Sequence, residues 1–297
     1  MIEEPNSRQQ KIIQTAQEVF YLPAGEANEL AFMSSSFIQA TLPHSDPGDV
    51  PLWYRQNGNY TLTIQPFLAP QNGQIKNFGI PYGSIPRLIL AWANAETVKT
   101  KSQELVLGKS LSEFMDKVGI EISGGPRGGI TRLKNQTLRL FSARISMMYE
   151  NGHGGLGLTD ARLAKQSYFF WDSKQPAQQA LWESKILLTE EFYKLLLESP
   201  VPLDWRVLRS IKRSPMALDL YMWMSYRMFT LKKPQKIKWE TLALQFGSEY
   251  KNIRHFRAKV RENFLKIMTI WQDLKVDLNS DQAVTLYPSR LLILPKG

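Results

Sequence analysis

Between Lys251 and Arg261 the chain carries Lys251, Asn252, Arg254, His255, Arg257 and Arg261, all able to donate hydrogen bonds to anionic oxygen or to base edges. A guanidinium fork fits two acceptors at once, on a phosphate or on O6 and N7 of guanine, whereas lysine acts as a point charge. The apolar residues Ile253, Phe256, Val260, Phe264, Ile267 and Trp271 recur there at steps of three and four, so a helix gathers them into one stripe. Lys251, Arg254, His255, Ala258, Arg261 and Glu262 fall on the other side, and the small Ala258 permits close approach to a phosphate backbone. From Arg206 to Arg261 there are fourteen Lys or Arg against Asp219, Glu240 and Glu249, a net of +11 in a chain whose total is +10. Basicity is thus concentrated in the C-terminal third, as on a polyanion-binding face. An ordinary solvated helix or a membrane-surface helix would also be basic, but the apolar stripe has the width of a core face.

A second set lies between Arg127 and Arg139. A helix from Ile130 to Phe141 turns Ile130, Leu133, Thr137 and Phe141 inward and leaves Arg132, Asn135 and Arg139 on an outer ridge, with Arg127, Thr131 and Lys134 nearby. Arginine suits guanine, asparagine suits adenine, and hydroxyls suit phosphate.

Other chemistry finds less support. Gly152 to Gly157 has the spacing GxGxxG of a nucleotide loop, but the expected context is a wing between two strands rather than a strand entering a helix. Gly108-Lys109-Ser110 resembles the end of a phosphate-binding loop whose first glycine is replaced by Gln103; it reads as a strand end and helix cap. His44, His153 and His255 are far apart, there is no cysteine, and Glu190-Glu191 suit a helix start. The expectation is a binding protein without enzymatic activity, cofactor or metal, with a nucleotide-using enzyme at Gly152 to Gly157 as a remote alternative.

The elements that position these residues follow from periodicity and punctuation. Ser7 to Phe20 forms an amphipathic helix with Ser7 as cap, and Asn57-Gly58 leads into a strand from Tyr60 to Ile64. Helices are predicted over Ile85 to Thr97, Ser110 to Val118 (a Ser110/Glu113 capping box) and Ile130 to Phe141. Strands follow at Ala143 to Tyr149, Gln166 to Trp171 and Trp182 to Leu188. The plan recurs with helices from Asp204, from Ser214, over Trp239 to Phe246 and over Ser248 to Gln272, then strands at Lys275 to Leu278 and Ala283 to Tyr287. Helices followed by a hairpin are the order of a winged helix. The expected fold is α+β, mostly helical, with tandem winged-helix domains at 79–200 and 201–297 and short β-hairpin wings, after a variable N-terminal segment at 1–78. A length of 297 residues and a hydrophobic fraction of 43% suit two cores. The N-terminus lacks an apolar signal region and no window suits a bilayer span, so a cytoplasmic protein without membrane contact is expected.

The run GIPYGSIPRLILAWANAETVKTKSQELVLGKSLSEFMDKVGI, then SGG and GGITRLKNQTLRLFSARI, with QATLPHSDP and NGNYTLTI upstream, resembles the RepA-type plasmid replication initiators of bacteria over about Gln39 to Ile145. From Leu203 on, the likeness is in element order and charge. The resemblance implies sequence-specific binding to double-stranded plasmid origin repeats, origin opening and recruitment of host replication proteins. It also implies homodimers that repress their own promoter, and so a part in copy control. A transcriptional repressor without initiator activity would share the same helices and charge.

Overall fold

The computed structural model describes residues 5–150, 155–172, 174–179, 183–247 and 250–294. They form two compact units, one spanning Ala40–Pro200 and one combining the chain up to Gln39 with Val201 onward. The N-terminal segment expected at 1–78 is therefore not a separate body, since it divides between the two units. Among the described residues there are ten helices and fourteen strands, a larger share of sheet than the mostly helical chain expected from periodicity. Strands of four or five residues are too short to display a convincing alternation.

At the N-terminus, α1 (Ser7–Tyr21) is capped by Asn6, not Ser7: the Asn6 side chain accepts from the N–H groups of Arg8 and Gln9, and Gln9 returns a bond to the Asn6 N–H. It is followed by β1 (Leu30–Ser34) and the short α2 (Ser35–Gln39).

The unit Ala40–Pro200 begins with two antiparallel pairs, β2 (Trp53–Asn57) with β3 (Tyr60–Gln65), and β4 (Leu68–Gln71) with β5 (Gln74–Asn77). The second pair turns through Asn72 and Gly73, both at positive φ as a two-residue hairpin requires. Its central helix, α3 (Ser84–Thr100), is apolar nearly all round and buries Ile85, Leu88, Ile89, Leu90, Trp92 and Ala93. Arg87 is buried with them. Its guanidinium donates to the carbonyls of Leu42, Pro43 and Gly83 at 2.6, 3.2 and 2.7 Å, pinning the first residues of the unit to α3.

Then come β6 (Glu104–Gly108), α4 (Leu111–Lys117), α5 (Gly129–Ser142), β7 (Arg144–Glu150), β8 (Leu156–Arg162), β9 (Ala164–Tyr168), β10 (Ser184–Leu188) and α6 (Glu190–Glu198). The strand that leaves α5 does not close the hairpin expected from sequence. Instead β7 pairs with β3 and β8 in a sheet of order β2-β3-β7-β8, burying Leu62, Ile64, Ile145 and Met147 on one face. The pair that returns to β6 is β9 and β10, in the order β6-β10-β9. The unit thus runs helix, strand, helix, helix, inserted hairpin, hairpin.

The chain then enters β11 (Pro200–Asp204), which pairs with β1, and continues through α7 (Trp205–Ile211), α8 (Pro215–Thr230), β12 (Gln235–Lys238), α9 (Trp239–Phe246), α10 (Ile253–Ile270), β13 (Val276–Asp277) and β14 (Ala283–Leu286). The three short strands order as β12-β14-β13, all antiparallel. The second helix of this pair begins at Ile253 rather than near Ser248, which lies outside the described residues; Asn252 is its cap, accepting from the Arg254 N–H. Phe256, Val260, Phe264, Ile267 and Trp271 are buried as the periodicity requires. Gly247 closes α9 with its N–H on the Ala243 carbonyl, and a Cβ there would stand 2.4 Å from the Phe256 ring.

This unit is joined through a buried ion pair. Asp204 accepts from the Arg206 guanidinium, whose other N–H groups reach the Glu18 and Leu22 carbonyls at the end of α1, both at 2.8 Å. The Asp204 N–H donates to the Tyr221 hydroxyl of α8 at 2.9 Å, and burial pushes that phenol far above its ordinary value. Arg206→Ala removes the ion partner of a buried carboxylate and the guanidinium donor to the Leu22 carbonyl, so it should lower urea stability by about 3–5 kcal/mol and expose the chain near Leu22 to protease. Gly247→Ala should cost about 1–3 kcal/mol by the same measurement, because the Phe256 ring has no room to retreat within the core.

Candidate nucleic-acid interface

The N-terminal turns of α10 carry the most accessible cations predicted from the sequence. Lys251, Arg254 and His255 are exposed, with no side-chain hydrogen bond or ion pair among the described residues, and Ala258 lies on the same outer face. Asn252 is committed through its side chain to the helix cap. Further along, Glu262 accepts from Lys259 and Lys266; these bonds hold its carboxyl below the usual carboxylate range and offset one of the two lysine charges. Leu265 is then exposed. The cationic face of α10 therefore occupies its first two or three turns, where the helix dipole also favours an anion.

Two residues expected on that face are occupied. Arg257 donates through Nη1 to the Asp281 backbone carbonyl and, at 3.2 Å, to its carboxylate. Arg261 donates through Nε to the Leu278 carbonyl at 2.9 Å and through Nη2 to the Ser280 carbonyl at 3.2 Å, with the Asp281 carboxylate at 3.4 Å. The Arg261 guanidinium also lies 5.4 Å from the centre of the Trp239 ring. Both arginines hold the turn between β13 and β14 against α10 rather than extending into solvent. The sequence placed them by helical period, which carries no information about a turn some twenty residues downstream.

The same correction applies once in α5. Arg127, Arg132 and Asn135 are exposed without side-chain partners among the described residues, and Lys134 is half-buried. Thr131 donates to the Gly125 carbonyl at 2.8 Å and so helps to close the loop before the helix. Arg139 instead turns inward: Nη1 donates to the Ile80 carbonyl at 3.1 Å and pairs with Asp46 at 3.4 Å, and the guanidinium lies 5.2 Å from the Tyr82 ring. Gly79 makes this possible, since a Cβ there would stand 2.8 Å from the guanidinium carbon. Beside it, Gln136 accepts from the Tyr82 N–H at 2.9 Å. The ridge left open on α5 is Arg132 and Asn135, with Arg127 in the preceding loop.

Several exposed cations were not singled out from the sequence. Lys236 and Lys238 lie two apart on β12, hence on one face of the ribbon, and Lys232 and Lys233 precede them in the loop after α8. A four-residue strand between two helices gives almost no periodic signal. The net charge of the stretch was the available clue, but charge alone does not assign a face.

The glycine-rich decoys also acquire places. Residues 151–154 lie outside the described residues, and Gly155 and Gly157 lead into β8, antiparallel to β7, rather than into a helix. A dinucleotide loop needs the helix. At Gly108, a Cβ would stand 2.5 Å from the Glu113 carboxyl carbon. That carboxylate accepts from the Lys109 N–H at 2.9 Å, instead of from the Ser110 N–H as a capping box would have it. Hydrogen bonding from Lys117 holds it below its ordinary value, so an anion already fills the place a phosphate would take. Among the described residues no helix is long and apolar enough to cross a membrane.

Comparison with known proteins bears on this geometry in two ways. The fold is similar to crystal structures of domains 2 and 3 of RctB: one of selenomethionine derivatives matches with TM-score 0.52 and 11% identity, covering 84% of this chain and 95% of that one. Another, of RctB residues 155–483, matches with TM-score 0.51 and 11% identity over 84% of this chain and 94% of that one. No curated protein matches. The family model for plasmid-encoded RepA protein matches residues 80–241, which takes in α3 through α8, β12 and the start of α9, and the chain therefore belongs to the plasmid-encoded RepA family.

Proposed function

We propose that this protein initiates plasmid replication by binding double-stranded DNA at repeated origin sites through two winged-helix units. The observation that carries the reading is the unit formed by α8, β12, α9, α10, β13 and β14. Its strand order β12-β14-β13 brings the first strand against the last, and its long third helix presents Arg254 and His255 exposed on the outer face, with exposed Lys251 just ahead of its cap. A helix so placed fits a major groove, with its first turns reaching base edges and the following hairpin lying beside the backbone. The middle unit supports the same reading, with α3, β6, α4 and α5 followed by β9 and β10, and the β7-β8 hairpin as an insertion. There the readers are Arg132 and Asn135, with Arg127 and Lys134 toward phosphates.

Membership of the plasmid-encoded RepA family makes the origin the DNA in question, with origin opening and recruitment of host replication proteins as the consequence of binding. The protein acts by binding, without cofactor or enzymatic step. Homodimers that repress the protein's own promoter are the regulatory side of the same reading. A repressor that does not initiate would protect the same sites from cleavage, yet leave an adjacent AT-rich segment duplex in an origin-opening assay.

Phosphate contacts from lysine and arginine supply most of the affinity of such a complex. With roughly six to ten of them, binding to origin DNA should weaken by about 10³ to 10⁵ between 50 and 200 mM salt, measured by fluorescence anisotropy. Flat binding over that range would sink the reading. Arg254→Ala and Arg132→Ala should each cost about 1–3 kcal/mol and relax preference at one position of the site, read by selection from random DNA. Lys236→Ala, by contrast, should weaken all sequences alike and make the salt dependence shallower by about one unit. Origin binding unaffected by both arginine changes would show that other elements read the bases.

A further inference from the structure

The turn between β13 and β14 places one acidic side chain on two arginines of α10. Asp281 is 80% exposed in its side chain, so solvation could satisfy its carboxylate, yet one oxygen lies 3.2 Å from Arg257 Nη1 and 3.4 Å from Arg261 Nη2. Both guanidiniums keep other acceptors when that carboxylate is disregarded: Arg257 has the Asp281 backbone carbonyl, and Arg261 has the Leu278 and Ser280 carbonyls. The carbonyls hold the turn in place. The carboxylate supplies the charge.

An oxygen anion bridging two guanidinium groups at the edge of a DNA-facing helix is the arrangement a backbone phosphate would adopt there. We propose that Arg257 and Arg261 form a seat for a phosphodiester group, filled in the free protein by the Asp281 carboxylate, and that this carboxylate competes with DNA for it. The proposal rests on α10 being a DNA-facing helix. It adds a phosphate site on the hairpin side of that helix, separate from the base-reading positions Lys251, Arg254 and His255, and an internal competitor that moderates non-specific binding. A phosphate carries its charge on a longer reach than the carboxylate and is supplied by a duplex held at many other points, so displacement requires the side chain of Asp281 to swing away while the turn stays on its carbonyl bonds. Arg257 at 17% side-chain exposure and Arg261 at 33% remain accessible along the edge that Asp281 covers.

The test removes the charge and keeps the shape. Asp281→Asn should bind a non-specific duplex several-fold more tightly than the unaltered protein at about 100 mM salt, with a salt slope steeper by about one to two units as the seat takes up phosphate. Adding Arg257→Gln to Asp281→Asn should abolish the gain. Asp281→Ser, equally uncharged but shorter, should reproduce it, and a melting temperature within about 2 °C of the unaltered protein should accompany the two single variants. Unchanged affinity and slope in both single variants, or weaker binding, would overturn the proposal and leave Asp281 as a residue that merely sets the turn. If the unaltered protein shows no salt-dependent binding to any duplex, the DNA-binding reading itself fails, an outcome distinct from a duplex-binding protein indifferent to Asp281.

Discussion

Arg206 has five N–H donors and a side chain almost wholly out of water, so its donors need acceptors within the protein. Asp204 takes two of these bonds, and the carbonyls of Glu18 and Leu22 take others. Because Asp204 also caps α7 and its own N–H rests on Tyr221 of α8, one charge pair fixes the end of α1, the start of α7 and the middle of α8 together. The C-terminal unit depends on it in a particular way. Around it β1 pairs with β11, Arg209 pairs with Glu29, and α1 packs on α7 and α10, so the pair sets the arrangement of segments that these contacts also hold together. A buried ion pair adds little net stability compared with an apolar core, but one that is satisfied on all sides selects a single arrangement of the elements around it.

Arginine serves the same purpose three more times, with carbonyl oxygen as the usual acceptor. Arg87 ties the segment at Leu42 and Pro43 to α3, Arg139 ties Ile80 and Asp46 to α5, and Arg257 with Arg261 ties the last turn to α10. Planar donors suit irregular backbone because a loop offers several unpaired carbonyls at once, and the charge strengthens each bond. The consequence for a basic protein is that net charge overstates the cationic surface. Of the cations counted between Arg206 and Arg261, Arg206 and Arg209 pair with Asp204 and Glu29, and Arg257 and Arg261 with Asp281, while Lys251, Arg254, Lys236 and Lys238 remain exposed.

That division also marks how far the sequence could be read. Helix faces were legible because burial repeats at the helical period: Phe256, Val260, Phe264 and Ile267 on α10, and Ile130, Leu133, Thr137 and Phe141 on α5, are all buried. The caps at Asp204 and Ser214 were legible for a local reason, a side chain accepting from an N–H two or three residues on. Partners far along the chain were not. The Arg139–Asp46 contact spans 93 positions, and helical period assigned Arg139 to the outer ridge with equal force. The β2-β3-β7-β8 sheet escaped for the same reason, since β7 chooses β3 across the whole of α3, α4 and α5, and β8 follows a glycine run that reads as loop. Arg132, Asn135 and Arg254 are exposed where the helical period puts them, with no distant side-chain partner among the described residues.

Paired and exposed arginines also divide the outer face of α10 by charge. Its first turns combine exposed cations, a small residue and the positive end of the helix dipole, so an anion approaching there meets few competing contacts. Past Arg261 the same face carries Glu262 between two lysines and then exposed Leu265, a surface whose positive charge is reduced by half and interrupted by an apolar side chain. On the opposite side of the helix the apolar stripe packs inward, and α1 lies against α10 within the same unit. On the proposed reading, such a helix would meet a groove only over its N-terminal half, which would limit the number of base pairs it reaches and call for a second reader at a longer site. The ridge of Arg132 and Asn135 on α5 has the complementary chemistry, one residue type suited to guanine and one to adenine. If the proposed function holds, two short readers on separate units would discriminate by the product of two modest preferences, whereas one long basic helix would gain affinity for every sequence alike.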